Sequence, residues 1–320
     1  MQQGKRKKIV VIGGGTGLGT ILRGLKTVPL DITAIVTVAD DGGSSGILRE
    51  EMNMPPPGDV RNVLVALADR EPLLQSLFQH RFRNGNGLAG HSLGNLLIAG
   101  MQEITGDFVT AVKALSRVLA VRGNVLPAAN SSIRLIAKME DGTIVNGESK
   151  IPKMNKKIDR VMLDPEDIEA LPEAIQAIEE ADLVLVGPGS LYTSVIPNLL
   201  VKEIQSALKE SKAQKVYISN VMTQPGETNG YTVRDHVEAV YKHIHFPLFQ
   251  KVIVNNGEIP QQILEKYEKK ESIPVYYEEG SLDDLGITVI KDQLFLADDY
   301  LRHDAEKVTQ IVLHCLYGMD

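Results

Sequence analysis

The chain is short of cysteine, of positive charge and of long apolar runs, and each shortage removes a class of protein. Its single cysteine, Cys315, excludes an intrachain disulfide and any four-cysteine zinc or iron–sulfur site within one chain. A reducing, cytoplasmic setting is expected. Lys and Arg number 34 against 41 Asp and Glu, a net charge of -7. A chain of that sign has no global attraction to nucleic acid or to an anionic membrane. An anionic ligand must therefore be met locally, by backbone N–H groups or single arginines. The basic tetrad Lys5-Arg6-Lys7-Lys8 looks like the start of a signal peptide, but the apolar run behind it ends at Ile12. That is too short for a signal core or a bilayer span. The tetrad reads as a solvated lead-in to the first strand, and no membrane insertion is expected. Low-complexity tracts and fixed-period repeats are also missing.

What is present is ordinary for a globular chain: 43% apolar and 23% charged among 320 residues. Apolar β-branched stretches at 8–12 and 31–39 predict strands buried on both faces of a parallel sheet, with a helix at 16–25 between them. Helices are expected at 60–68, 72–79, 91–104 and 107–119, the last with Asp107 as its N-cap. Asp141-Gly142 between alternating runs predicts a hairpin at 131–150. The βα rhythm then returns, with strands at 183–186, 215–219, 252–254 and 273–277, and helices at 172–180, 232–243 and 304–317. The whole reads as one doubly wound, Rossmann-like α/β domain, residues 1–320, with a helical insertion at about 60–120 and a β-hairpin.

The polar, glycine-rich segments share one place: each follows an expected strand, and in an open parallel sheet those ends line the ligand edge. The first is Gly13-Gly14-Gly15-Thr16-Gly17. Glycines there admit a phosphate close to the backbone, beside a helix N-terminus. Leu18 breaks the G-x-G-x-x-G dinucleotide pattern, and Thr20 stands where a P-loop needs lysine. This is a phosphate-cradling turn of unassigned type, or a plain tight turn. The second segment, Asp40-Asp41-Gly42-Gly43-Ser44-Ser45-Gly46, places two carboxylates beside a hydroxyl pair, chemistry suited to a cation or to ligand hydroxyls. It also fits G-x-S-x-G with Ser44 in the nucleophile place. The later histidines 236, 243 and 245 sit in or just after a helix, poorly placed for a hydrolase.

Pro57-Gly58-Asp59-Val60-Arg61-Asn62 carries an acid, a base and an amide on a loop stiffened by proline. Asp59 suits a ligand clamp or an N-cap. His91 and Asn95 share a helix face at an otherwise apolar start. Gly187-Pro188-Gly189-Ser190, with Thr193, reads as a second anion nest, and Asn220 opens a further polar loop. Cys315 reads as a core residue of the last helix.

Taken together, these segments resemble the CofD-like superfamily, in its bacterial YvcK branch, the gluconeogenesis factors. The matching runs are residues 12–17, 38–46, 57–62, 91–95 and 187–194, and the likeness spans about residues 8 to 315. The resemblance implies a Rossmann-like fold. For the archaeal relative, 2-phospho-L-lactate transferase, it implies transfer of a phospholactyl group from a nucleotide diphosphate carrier. For the YvcK branch it implies binding of a UDP-sugar or another dinucleotide-like ligand, a role in cell shape on gluconeogenic carbon sources, and protein partners in cell-wall regulation. A homo-oligomer is compatible with that. In the transferases, acids matching Asp41 and Asp59 serve metal and acceptor, so Mg²⁺ on Asp41 and Asp59 is the expectation if the chain is a transferase. Here the later segment reads Gly-Asp-Val-Arg-Asn, which removes one acid and adds Arg61. That favours anion binding near Arg61 and little or no turnover.

Overall fold

The aliphatic runs of the sequence become the centre of a seven-stranded sheet. The computed structural model describes residues 6–69, 72–297 and 300–318; Lys5 of the basic tetrad lies outside them. In chain order the strands are β1 (Lys8–Gly13), β2 (Asp31–Val36), β3 (Asn124–Pro127), β4 (Arg134–Met139), β5 (Ile144–Asn146), β6 (Ile158–Asp164), β7 (Leu183–Val186), β8 (Gln214–Ile218), β9 (Lys251–Asn255), β10 (Thr288–Asp292), β11 (Phe295–Ala297) and β12 (Leu301–His303).

The main sheet runs β10-β9-β8-β7-β1-β2-β3, and every neighbouring pair is parallel. It is an α/β fold, as expected. The chain winds one way from β1 through β3, returns, and winds the other way from β7 through β10. The order therefore reverses between β1 and β7, where Ile12 faces Ile35 on one side and Val186 on the other. A crevice opens beyond the carboxyl ends of two strands that diverge in this way. The expected hairpin exists but belongs to a three-stranded antiparallel sheet, β5-β4-β6.

Several segments differ from expectation for identifiable reasons. The second strand stops at Val36, and residues read as loop form the helix Gly43–Met52. Residues 273–277 contribute only an isolated bridge, Met222 with Pro274, because proline supplies no N–H to a sheet; the parallel edge strand is β10. Helices Lys202–Glu210 and Gln261–Glu268 were not expected, although parallel neighbours require crossovers and Ile204, Ala207 and Leu208 recur at helical spacing in the first of them. Asp107 does cap its helix, accepting from Thr110 N at 2.7 Å.

Helix Gly15–Leu25 packs along helix Gly58–Leu67, where Gly19 comes close to Ala66. Both helices begin at the carboxyl edge of the sheet, which brings the first glycine turn and Asp59 together. One continuous apolar core joins the main sheet, its helices and the small sheet. A second, separate apolar cluster gathers Val221, Met222 and Phe295 with Ile259, Tyr267 and Leu301. Cys315 is half-buried against the main core. Among the described residues no helix is long and apolar enough to cross a membrane.

Candidate functional site

The turns after β1 and β7 touch across the switch point. A Cβ built on Gly17 would lie 3.0 Å from Pro188 O, and one on Gly189 would lie 3.2 Å from Gly14 O. A Cβ at either position would require the facing backbone to give by a few tenths of an ångström. Between and above them lies a cleft of about 480 Å³. Its floor holds Gly14, Gly15, Thr16 and Gly17 with Pro188, Gly189, Ser190 and Thr193. One end carries Asp40, Asp59, Asn62 and Glu148; the other carries Asn220, Val221, Met222, Tyr267 and Leu301, with Arg302 and His303.

The first turn already holds an anion of its own. Asp59 lies in the first turn of helix Gly58–Leu67 and does not cap it. Its buried carboxylate instead accepts the backbone N–H of Gly15. A Cβ on Gly14 would fall 2.4 Å from Asp59 Oδ2, so glycine is what lets the acid reach the turn. Gly15 itself has φ +68, which only glycine adopts easily. The second turn is filled in the same way. Glu227 accepts from Tyr192 N at 3.1 Å and from the Thr193 hydroxyl at 2.9 Å. The expected second nest is thus closed at residues 192–193 by a carboxylate that sequence reading missed. Asn220 seals the other side, donating to Gly189 O at 2.9 Å, and Gln224 donates to Ser190 Oγ at 2.8 Å.

Behind the acid end stands a buried polar network. Arg61 Nη1 donates to Ser92 Oγ (2.6 Å) and Asn95 Oδ1 (3.0 Å), and Nη2 donates to Asn62 Oδ1 (2.9 Å). Asn95 Nδ2 donates to Ser44 Oγ and Ser45 Oγ, at 3.1 and 3.3 Å. Ser44 Oγ and His91 Nδ1 share a hydrogen bond at 3.0 Å. Asp40 Oδ2 and Ser45 Oγ both crowd Gly58, whose Cβ would meet them at 2.4 and 2.5 Å.

Gly14 to Gly17, Asp40, Asp59, Asn62, Pro188, Gly189, Ser190, Thr193 and Asn220 therefore converge on the cleft. Ser44, Ser45, Arg61, His91 and Asn95 do not line it; they brace the loops that do. Gly13 ends β1, and its carbonyl accepts from Asn198 Nδ2 at 3.1 Å. Gly187, at φ +79, makes the cis bond to Pro188. Asp41 departs from its expected place beside Asp59: its Oδ1 accepts from Ser149 N at 2.8 Å, and its Oδ2 lies against Gly147. It anchors the 147–149 loop and so delivers Glu148 to the cleft. Among the described residues no group of three or more acidic, histidine or cysteine side chains is arranged to hold a metal.

Burial and mutual repulsion shape the acids. Burial, then Asp40, pushes Asp59 up to about 7, although the Gly15 N–H and Arg61 oppose this. Burial, then Asp40 and Asp59, pushes Glu148 up to about 8. Burial alone carries Glu227 up to about 7 against its three hydrogen bonds. Each carboxyl binds its proton more tightly folded than unfolded, so each contributes stability at low pH that is lost as pH rises toward 7–8. The buried imidazoles act oppositely: burial drives His243 down to about 4, so its contribution is lost as pH falls below about 6.5. Between pH 6.5 and 8 the acids alone should set the slope. The melting temperature of the ligand-free protein is expected to rise by a few degrees as pH falls across that window. Glu148→Gln should flatten the rise, and an unchanged slope in that variant would place the titrating groups elsewhere.

The cleft, at the reversal of a parallel sheet between two glycine turns and lined by acids, invites comparison with known proteins. The family profile described as 2-phospho-L-lactate transferase CofD matches residues 9–295. The chain belongs to the CofD family. Its CofD relatives include a protein named gluconeogenesis factor from Halalkalibacterium halodurans, 58% identical over 97% of this chain and 96% of that one. Another of that name, from Bacillus subtilis, is 55% identical over 98% and 99%. A crystal structure of a Bacillus halodurans member of the UPF0052 family superposes with a TM-score of 0.94 at 57% identity, covering 97% of this chain and 99% of that one. The match spans both glycine turns of the CofD cleft and the whole switch point.

Ser194, Val221, Met222 and Gln224 lie in segments expected at this edge, 187–194 and 220–229, without having been singled out; cleft residues that the sequence did not announce are Glu148, Tyr267, Leu301, Arg302 and His303. Glu148 follows β5, and a carboxylate at the end of the expected hairpin was the available signal. Tyr267 and Leu301 come from a polar helix and a short hairpin strand, which carry none.

Proposed function

We propose that this CofD-family chain is a nucleotide-sugar-binding regulatory protein, taking a UDP-sugar in the cleft with little or no turnover. We read its cellular role as supporting cell shape during gluconeogenic growth; the name gluconeogenesis factor that its relatives carry supports the growth condition alone. The observation that carries the reading is the approach of two glycine turns at the switch point, where Thr16, Gly17 and Ser190 line the cleft beside the Gly15, Gly189, Tyr192 and Thr193 donors that Asp59, Asn220 and Glu227 already take; a diphosphate there would lie between flanks of different chemistry. The exposed Arg302 at the cleft supplies a positive charge in a chain of net charge -7.

A transferase of the 2-phospho-L-lactate type is the second reading, favoured by Asp40 and Asp59 facing one another at the cleft. Mg²⁺ carried on a ligand diphosphate takes one or two protein carboxylates, and those two are the residues that would hold it. Bound there, the ion would neutralise charge on the diphosphate.

The test is a thermal-shift and calorimetric titration with UDP-glucose, UDP, GDP and NAD, with and without Mg²⁺. A UDP-sugar at about a hundred times its Kd should stabilise the protein by about 2.7 kcal/mol, without nucleotide release. Sustained release of nucleotide would replace this reading with the transferase, and binding of NAD alone would overturn both.

A further inference from the structure

We propose that the cavity at the amino edge of the main sheet is a second ligand site, one that takes a small phosphorylated metabolite bearing hydroxyls. The inference does not depend on what the carboxyl-edge cleft binds, so either can fail without the other.

The cavity lies at the opposite ends of the strands that carry the cleft. Its wall comes from the starts of β1 and β2, the turn that joins helix Gly15–Leu25 to β2, and the lead-in to β3. These strands are consecutive neighbours in the sheet, so the segments meet in space. The volume is about 800 Å³, larger than the 480 Å³ of the cleft. That is room for an organic ligand rather than a bare ion.

Its charge is the reverse of the cleft's. Arg6, Lys8, Lys26 and Arg122 line it beside a single acid, Asp31. In a chain of net charge -7 this is a local inversion of sign, and a concavity lined by one sign concentrates ions of the other. Some of this charge is already spent. Lys8 pairs with Glu180. Arg122 Nε donates to Asp69 Oδ1 at 2.8 Å, and its Nη1 donates to Lys26 O at 3.3 Å. The Lys26 ammonium donates to Ala68 O at 2.6 Å, a partner without charge. Among the described residues neither Lys26 nor Arg6 forms an ion pair with an acid. Burial, then Arg23, holds Lys26 below the ordinary lysine pKa, with Arg122 adding to this against Asp69. A half-buried cation that other cations repel is relieved by an incoming anion.

Helix ends account for part of the cluster, since Lys26 and Arg122 serve free carbonyls there. They do not account for Arg6 or for the space the four cations surround. A phosphate accepts from an ammonium and from a planar guanidinium fork alike. Asp31 is an acceptor for a hydroxyl, and Val28 and Pro29 give a carbon skeleton an apolar strip. Phosphate, hydroxyls and carbon together describe a sugar phosphate.

The test is an NMR titration of the full ¹⁵N-labelled chain with glucose 6-phosphate, glucose, inorganic phosphate and a hexaglutamate peptide. Glucose 6-phosphate is expected to shift the amides of residues 26–31 and 122–123 saturably, and glucose is expected to leave them unmoved. Lys26→Met should weaken that binding by at least about tenfold, the loss of one charge-assisted hydrogen bond. Arg6→Gln should weaken it by about fivefold, the weight of one exposed charge at close range, with the melting temperature unchanged. No saturable shift in those segments would overturn the proposal, as would shifts confined to residues 13–17 and 187–193. Inorganic phosphate binding as tightly as glucose 6-phosphate would mean an adventitious ion only. Tighter binding of hexaglutamate would make the edge a dock for an acidic protein segment and overturn the small-ligand site. A loss in Lys26→Met that tracks a fall in melting temperature, with none in Arg6→Gln, would make Lys26 a helix brace and overturn it too.

Discussion

Gly15→Val is expected to abolish nucleotide-sugar binding, by at least about a hundredfold, in a protein that still folds. Gly15 opens its helix at φ +68, and its N–H is held by the Asp59 carboxylate. A β-branched residue is a steric outlier at that dihedral, so the turn must rotate to a negative φ. Rotation turns the N–H away from Asp59 and re-aims the amides of Thr16 and Gly17 beneath the cleft. Losing two charge-assisted donors at about 1.5–3 kcal/mol each gives the hundredfold figure or more. The strain, about 1–3 kcal/mol, is smaller than the 5–15 kcal/mol that holds a domain together. The side chain itself meets little, since the nearest atom to a Cβ there is Ser194 Oγ at 3.9 Å. The backbone angle, not crowding, is what matters. Gly15→Asn separates the two causes: asparagine tolerates the left-handed region, so it should recover much of the binding. Calorimetry of both variants beside their melting curves decides it. If Gly15→Val binds a UDP-sugar as well as the parent, the diphosphate does not lie on this turn.

The parts of the site that could be read from the sequence are those where chemistry and strand order coincide. Glycine turns after apolar β-branched runs announce themselves, because each needs a backbone freedom that other residues lack. Those turns, with Asp40, Asp59 and Asn62, were readable for that reason. The remainder depended on which chain segments pack beside each other. Asp40 and Asp41 are indistinguishable as letters, yet one faces Asp59 and the other ties down the 147–149 loop. Ser190 and Thr193 signal an anion nest, but Glu227 arrives from 34 residues later to fill part of it. Tyr267 enters on a helix that parallel topology requires and whose own polar pattern hardly marks it. The serine of G-x-S-x-G is a motif match without the chemistry, as the poorly placed later histidines indicated. Its partner is His91, which precedes a helix rather than lying in one, and both side chains are buried away from the cleft. Ser44 is a strut between loops.

Arg61→Ala should destabilise the ligand-free protein by about 3–5 kcal/mol, lowering its melting temperature by on the order of 10 °C. The sequence alone suggested a guanidinium reaching a ligand phosphate, in which case binding would weaken and the melting temperature would stay. The fold favours the other outcome. Arg61 is 8% exposed, does not line the cleft, and spends both terminal nitrogens on Ser92, Asn95 and Asn62. Those contacts join helix Gly58–Leu67 to the start of helix Leu93–Thr105, and Asn95 carries the link on to Ser44 and Ser45. Removing the side chain strands buried acceptors and takes away the cation that helps keep Asp59 ionised. Asp59 should then hold its proton to still higher pH, and binding should weaken as a consequence of the loosened acid flank. Arg61→Lys should recover only part of the stability, because one ammonium cannot span three acceptors that a planar fork reaches together. A differential scanning trace without ligand, set beside a UDP-glucose titration, separates the two accounts. A normal melting temperature with affinity lost by one to two orders of magnitude would put Arg61 on the phosphate after all. A lowered melting temperature that Arg61→Lys partly restores would make it the buried brace on which Asp40, Asp59 and Asn62 depend for their positions.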